Sequence, residues 1–508
     1  MPPLAHHQKT GRSGDVCPQV PVLLRLLLVA ASISLMLVLY TWSLHSAEHG
    51  ALVDKLARLQ SALEDHAREE QHSQQEGEKH VHGHILGLQG AIARLEENAA
   101  RHQLRGDAQP RPPPPPPPPP VESLQLSAGE PLDLPPMMHT RGEAPSTLLL
   151  VVASNRPQYL QRCLASVVQH HPRKDVPVLV SEDGNEAAVR LVVDEARTAF
   201  LAQLPAEIKE NEKAHLEMLH VHFAPPAGSY YENGYFRLAA HYKWALTQAF
   251  AADVAIQRVI VLEEDLQVAP DFFALFVALA PLLDDPRERL LCVSAFNDNG
   301  QAGHVRDAKQ LYRSDFFPGL GWMLTRALWA ELEPKWPRAY WDDWLREPRN
   351  RLGRQVIRPE VSRTFHFGRV GVSNSQFGDF LGGIALQSGS VQFSQLDLGY
   401  LSKATWDVNY MAAVQRAALV SPTELPAIVQ HARPGDTEGP NRYPDGVRVH
   451  YGSFDEFVRL ASTAQLMDNI KANVPRTAYR GVVSAWLGGC IKLHIAPTPA
   501  FALHLDSL

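Results

Sequence analysis

Arg258-Val-Ile-Val-Leu-Glu-Glu-Asp-Leu266 runs an apolar stretch straight into three consecutive carboxylates. The run from Arg258 to Leu262 predicts a buried strand. Desolvating a charge is costly, so Glu263, Glu264 and Asp265 at its end need partners. A hard divalent cation is one, and it would leave coordination positions for phosphate oxygens and water. A solvated acidic turn is the other reading.

Working outward, Ser146-Thr-Leu-Leu-Leu-Val-Val-Ala153 is a second apolar run, ending at Ser154-Asn-Arg-Pro157. Leu160, Leu164, Val167 and Val168 mark one face of a following helix. A strand is expected at Val178 to Ser181, closed by Glu182-Asp-Gly184. Next come a helix from about Ala187 to Leu204, a short strand at Val221 to Phe223 and a helix from about Tyr235 to Phe250. Strands alternating with helices predict an α/β fold with a mostly parallel sheet, whose ligands bind beyond the strands' carboxyl ends. Arg156, Asp183 and the three acids all sit at such ends.

Beyond them, Leu290 to Phe296 predicts a strand ending in the turn Asn297-Asp-Asn-Gly300, and Thr325 caps a short helix. Arg313 to Trp322 is rich in glycine and aromatics. Tyr340-Trp-Asp-Asp-Trp344 sets two acids between tryptophans. Such rings can stack on sugars and raise a carboxylate's pKa, or they can form the edge of an aromatic core with two surface acids.

The ends of the chain have a different texture. Lys9, Arg12 and Arg25 precede an uncharged run from Leu26 to Trp42, and Glu48 is the first charge after it. Length and charge asymmetry predict an uncleaved type II membrane anchor rather than a cleaved signal peptide. Leu52, Leu56, Leu59 and Leu63, then Ile85, Leu88, Ile92 and Leu95, form interrupted a/d seams. They suit either a coiled-coil dimer or one solvated amphipathic helix. The His80, His82 and His84 tract between them is read as solvated. Pro112 to Pro120 are nine consecutive prolines, a polyproline II strut of roughly 28 Å. The expected organisation is a tail (1–24), an anchor (25–42), a helical stem (43–109), a proline-rich strut and linker (110–144), an α/β domain (145–368), a connecting segment (369–381) and a smaller C-terminal domain (382–508).

Of the 508 residues, 48 are Lys or Arg and 55 Asp or Glu, a net charge of −7, which argues against a nucleic-acid partner. An apolar fraction of 45% excludes wholesale disorder. Cys17, Cys163, Cys292 and Cys490 show no zinc-ligand spacing. No Asn-x-Ser/Thr sequon is present.

Several segments resemble the N-acetylglucosaminyltransferase I family: Ala240 to Leu246, Glu263 to Phe273, Cys292 to Gly300, Asp315 to Trp322, Trp329 to Pro337, Trp341 to Trp344 and Ile357 to Thr364. The likeness runs from about Thr147 to about Pro497, and it implies that 145–368 is the catalytic domain and 369–381 a substrate-ordered loop. It implies a GT-A nucleotide-sugar-binding fold, Mn2+, and inverting β-1,2 transfer of GlcNAc from UDP-GlcNAc to the α-1,3-linked mannose of Man5 N-glycans. It also implies a single-pass type II protein of the Golgi membrane with a lumenal catalytic domain; the stem seams add a possible homodimer. Residue by residue, the resemblance places the metal on Asp265 and the donor on Arg156, Asp183, His241, Glu264 and Ser373. The catalytic base falls on Asp342, with Glu263, Asp343 and Trp341 in support. There are departures. Glu264 stands where the family usually has Asp. Ser154 and Gly184 stand where the animal enzymes carry a disulfide pair. Cys292 keeps half of a second pair whose partner position is Val356, and Phe296 replaces a tryptophan. Both bridges are therefore expected to be absent. Two rival readings are an O-mannose β-1,2-GlcNAc transferase and a catalytically inactive glycan-binding Golgi protein.

Overall fold

The computed structural model describes residues 146–172, 176–203, 218–225, 231, 233–369, 377–433 and 441–506. The expected tail, anchor, stem and proline strut lie outside these residues, as does Ser373. No helix among the described residues is long and apolar enough to cross a membrane.

The apolar run at 146–153 becomes β1 (Thr147–Ala153), buried along nearly its whole length. It lies in the middle of an eight-stranded sheet, parallel to β2 (Val178–Asp183) on one side and β4 (Arg258–Glu263) on the other. Such a strand is covered on both faces, which is why it reads as a continuous rather than an alternating apolar run. Leu149 and Val151 face a layer formed by α1 (Pro157–His170), α2 (Ala187–Ala202) and α4 (Phe272–Asp284). Leu148 and Leu150 face α3 (Gly234–Ala251). All four are fully buried, and each burial is worth about 1.5–3 kcal/mol. In α1 the buried Leu160, Cys163, Leu164, Val167 and Val168 follow the three-and-four spacing of an amphipathic helix.

The sheet order is β3-β2-β1-β4-β8-β6-β9-β7, with β3 (Met218–Phe223) at one edge. β6 (Leu290–Ser294), β7 (Leu311–Ser314), β8 (Trp322–Thr325) and β9 (Gln355–Pro359) complete it. Pairings are parallel among β3, β2, β1 and β4 and between β6 and β9, and antiparallel where β8 joins β4 and β6 and β7 joins β9. The parallel half and β6 are the part read from sequence; β7, β8 and β9 are too short to show a period. A two-stranded ribbon of β5 (Leu266–Val268) and β10 (Thr364–His366) follows directly on β4. Thr325 caps α5 (Arg326–Leu332) by accepting from Leu328 N at 3.2 Å. Cys292 pairs in register with Val356 and is a free thiol, as are Cys163 and Cys490.

The C-terminal part has its own four-stranded sheet, β11 (Ala418–Leu419), β12 (Val447–Tyr451), β16 (Ile491–Pro497) and β15 (Val483–Leu487), around a separate core. Val391, Phe393, Leu401 and Trp406 pack instead into the core of the large sheet. Polar contacts join the two parts: Arg476 to Asp298 at 2.5 Å, Asn299 to Thr477 at 3.0 Å and Lys471 to Asp343 at 3.0 Å.

Candidate active site

The register of β1 against β4 sets Val152 beside Glu263, so the end of β1 lies next to the acidic triplet. The three carboxylates then diverge. Glu263, half-buried, accepts from the Tyr242 hydroxyl of α3 at 2.7 Å. Glu264, 2% exposed, turns to the end of β1, accepting from Ser154 N at 3.0 Å and Arg156 Nε at 2.6 Å. Its longer side chain reaches both. Asp265, 5% exposed, turns to the ribbon. Arg156 Nη2 lies 3.1 Å and His366 Nε2 3.5 Å from its Oδ2, and its backbone oxygen accepts from Phe367 N. Gly368 packs so closely that a β-carbon there would lie 2.5 Å from Asp265 Oδ2.

Burial alone would raise the Asp265 carboxyl, but His366 and Arg156 outweigh it and hold it below the usual carboxylate range. Burial and the nearby Asp265 push Glu263 up. His366 itself is raised: burial opposes its charge, and Asp265 and Glu263 more than compensate. Asp265 Oδ1 is buried with no hydrogen-bond partner among the described residues. An orphaned carboxylate oxygen is costly to bury, and a hard cation is the kind of ligand that would satisfy it.

Beside this cluster, at the end of β2, Gly184 takes φ +121, which a side chain would strain. Asp183 is 8% exposed; its Oδ2 accepts from Arg237 Nε at 2.5 Å, while Oδ1 is buried without a hydrogen-bond partner among the described residues. Arg237 and His241 share a face of α3 at i, i+4 spacing. His241, 1% exposed, bonds Ser181 Oγ at 2.8 Å and stacks on Phe223 with ring centroids 5.1 Å apart. Burial, then Arg237, lower it to about 3, so the ring is neutral.

Asp342 and Asp343 lie in the first turn of α6 (Trp341–Arg346), entered through Tyr340 at φ +51. Arg346 Nη1 bonds both, Asp342 Oδ2 at 2.6 Å and Asp343 Oδ1 at 2.8 Å. Asp343 also receives Lys471 Nζ. Trp341 resolves the two readings of the tryptophans. It is buried and stacks on Tyr242, Trp336 and Trp322 at 4.3, 5.7 and 5.8 Å, so it belongs to an aromatic core and offers no face to a sugar. That stack ties the acids together. Asp342 follows Trp341, Trp341 packs on Tyr242, and Tyr242 bonds Glu263; its hydroxyl lies within electrostatic reach of Glu263, Asp265 and Asp342. The strand-end acids and the α6 acids therefore share one locale.

Tyr242, His366, Arg237 and Arg346 are site residues to which sequence reasoning assigned no role. The helical spacing of Arg237 to His241, and of Arg346 to Asp342 and Asp343, could have signalled two of them. His366 carries no local signal, because only the β5–β10 pairing brings it to Asp265.

A separate group can also hold a metal ion. Glu182, His220 and His222 place one ligand atom each within 4.8 Å of one another. Burial, followed by His222 and Arg197, lowers His220 to about 4, which leaves it neutral.

Residues 133–506 match the GNT-I family. The chain is 38% identical over 347 residues, 67% of its own length and 72% of the relative's, to an alpha-1,3-mannosyl-glycoprotein 2-beta-N-acetylglucosaminyltransferase of Arabidopsis thaliana. Among solved structures it overlaps S. aureus TarS over 43% of this chain and 59% of that one, at 12% identity and a TM-score of 0.29. It overlaps the mannosyltransferase PcManGT of Pyrobaculum calidifontis, solved with GDP-Man and Mn2+, over 62% and 84%, at 14% identity and a TM-score of 0.28. Overlaps as loose as these two carry no argument.

Proposed function

The chain belongs to the GNT-I family, and from that premise we propose an inverting glycosyltransferase that moves GlcNAc from UDP-GlcNAc to a mannose 2-hydroxyl. The activity is GlcNAc transfer to α-1,3-linked mannose in N-glycan synthesis. The proposal adds the donor, the Man5 acceptor, Mn2+ as cofactor, a GT-A catalytic domain and lumenal residence on a Golgi membrane through the 25–42 anchor.

The observation that carries the reading is the aromatic link Asp342–Trp341–Tyr242–Glu263, which puts a half-exposed acid within reach of a buried acid with an orphaned oxygen. Asp265 would hold the ion through Oδ1, and the bound ion supplies a Lewis acid for the departing diphosphate. The chain's own residues do the rest. Arg156 bridges Glu264 and Asp265 and opposes the upward push that burial gives to these two adjacent carboxyls at the strand ends. Asp183, with its free Oδ1, and Glu264 hold the uridine. His241, neutral and clamped to Ser181, shapes the donor pocket without adding charge. Ser373, which lies outside the described residues, is assigned to the donor by the family resemblance alone. Asp342 accepts the proton of the mannose 2-hydroxyl as it attacks the anomeric carbon. Arg346 fixes its Oδ2, and Oδ1 has no other partner among the described residues.

Product analysis tests this. The full chain, given UDP-GlcNAc and a Man5 N-glycan, should yield one β-1,2-linked GlcNAc on the α-1,3 arm. Transfer to an O-mannosyl peptide with none to Man5 would favour the O-mannose rival; binding without turnover would favour the inactive one.

A further inference from the structure

The edge of the large sheet carries a cluster that this reaction does not use. His220 and His222 lie two residues apart on β3 and therefore point to the same face. The parallel register sets Glu182 of β2 beside His222 and Val180 beside His220. Glu182 Oε2 lies 2.9 Å from His220 Nε2 and 3.2 Å from His222 Nδ1. A zinc ion with ligands at about 2.0–2.1 Å in tetrahedral geometry needs neighbouring donor atoms about 3.3 Å apart. Two edges of the triangle already meet that requirement, and the third is no longer than 4.8 Å.

The donor atoms are also unsatisfied. Glu182 Oε2, His220 Nε2 and His222 Nδ1 are all buried, and apart from their approach to one another none has a hydrogen-bond partner among the described residues. The other carboxylate oxygen of Glu182 accepts from Glu186 N at 2.5 Å, which aims Oε2 at the two imidazoles, as an outer-shell contact aims a metal ligand. The Glu182 side chain is 0% exposed, and the two histidines are its only ion-pair partners among the described residues. Arg197, on the helix beside them, is bound instead to Met218 O and Asp194. A carboxylate at that depth whose near neighbour His220 is neutral calls for a cation.

The cluster is distinct from the candidate active site. Successive residues of a strand face opposite ways, and Ser181 bonds His241 of α3 on one face. Glu182 follows Val178 and Val180 to the other, where α1 and α2 pack. Two imidazoles and one carboxylate suit zinc better than the all-oxygen preference of magnesium or manganese.

We propose that Glu182, His220 and His222 form a zinc site that fastens edge strand β3 to β2, with the half-exposed side of His222 leaving the fourth position to water. The test reads metal content and needs no turnover, so it is independent of the glycosyltransferase reading. The full chain is loaded with zinc, dialysed and analysed for metal, and a parallel sample is loaded with cobalt(II). About one zinc per chain is expected, with the visible bands of four-coordinate cobalt. Glu182→Gln and His222→Ala should each cut retained zinc at least ~tenfold and erase the bands, while Asp265→Ala leaves both intact. Circular dichroism checks the folding of each variant, and Glu182→Gln, which keeps the side-chain shape, decides if His222→Ala does not fold. A wild-type chain that retains no zinc, or a folded Glu182→Gln variant that retains as much as wild type, overturns the site.

Discussion

Asp265 and Asp342 are the same side chain in the same locale, held in opposite ways. Asp265 is 5% exposed, at the end of a rigid strand, clamped through one oxygen by Arg156 and His366, and its other oxygen is orphaned. The Asp342 side chain is 43% exposed on a six-residue helix and, among the described residues, is held by Arg346 alone. The first arrangement keeps a fixed charge in place whatever happens around it. The second leaves a carboxylate open to solvent, where an acceptor could reach it. Backbone setting, rather than residue type, separates the proposed electrostatic anchor from the proposed base.

Three substitutions attack that contrast. Asp265→Ala removes the anchor, and its effect should be the largest. At ~4 Å and an effective dielectric of ~20 each charge pair is worth about 4 kcal/mol, so losing two corresponds to ~10⁵-fold or more in turnover. Glu264 still pairs with Arg156, so the variant should fold. Turnover within tenfold of wild type, measured by UDP release, would move the anchor elsewhere. Asp342→Asn keeps shape and removes the base, for an expected ~10²–10⁴-fold fall in kcat with the donor KM unchanged. Were the donor KM to rise while kcat held, Asp342 would be a binding residue and the contrast would disappear. Gly368→Ala probes the clamp on Asp265 without touching its charge. The new β-carbon would sit 2.5 Å from Oδ2, and a displacement of that size is expected to lower turnover ~10–10²-fold in a folded protein. Wild-type turnover would mean that the ribbon gives way freely.

The legible half of the site was the half built from long apolar runs. β1, β2 and β4 are each built on a run of Leu, Val and Ile, and a parallel sheet presents its strand ends along one edge, so the placement of Arg156, Asp183 and Asp265 follows from the pattern. His366 and Lys471 come from strands of three and two residues, too short to show any period, and they reach the site only through pairing and packing. Trp341 was visible but ambiguous. A tryptophan beside two acids reads the same whether its face is bare or covered, and only the arrival of Tyr242, Trp336 and Trp322 from other elements decides it. The antiparallel half of the sheet was obscure for the same reason as the ribbon. The role proposed for Glu182 was hidden because the acids of Glu182-Asp183-Gly184 look like a turn until β3 is laid beside β2.

The smallest effect should come from Asp343, the neighbour that shares Arg346 with Asp342 yet serves a different purpose. Its second oxygen takes Lys471 from the C-terminal part, so it joins α6 to β13 (Ile470–Lys471) rather than meeting a substrate. Burial would raise its carboxyl, but Arg346 and Lys471 outweigh burial and hold it below the usual range. A carboxylate depressed in the folded state contributes stability that is fully present above its unfolded pKa, near ~3.9, and is lost as pH falls through the lower folded value. Asp343→Asn should therefore cost about 1 kcal/mol at pH 7, discounted for partial exposure, and the gap from wild type should persist down to about pH 4.5 and close below it. Arg346 keeps Asp342 in the variant, so kcat should change by less than ~threefold. Melting curves across pH, beside turnover at pH 7, check both halves. A stability gap that survives at pH 3 would mean that shape rather than charge holds β13 to α6. A large fall in kcat would mean that the two neighbouring acids act as one unit, and that Asp342 owes its proton chemistry to its neighbour.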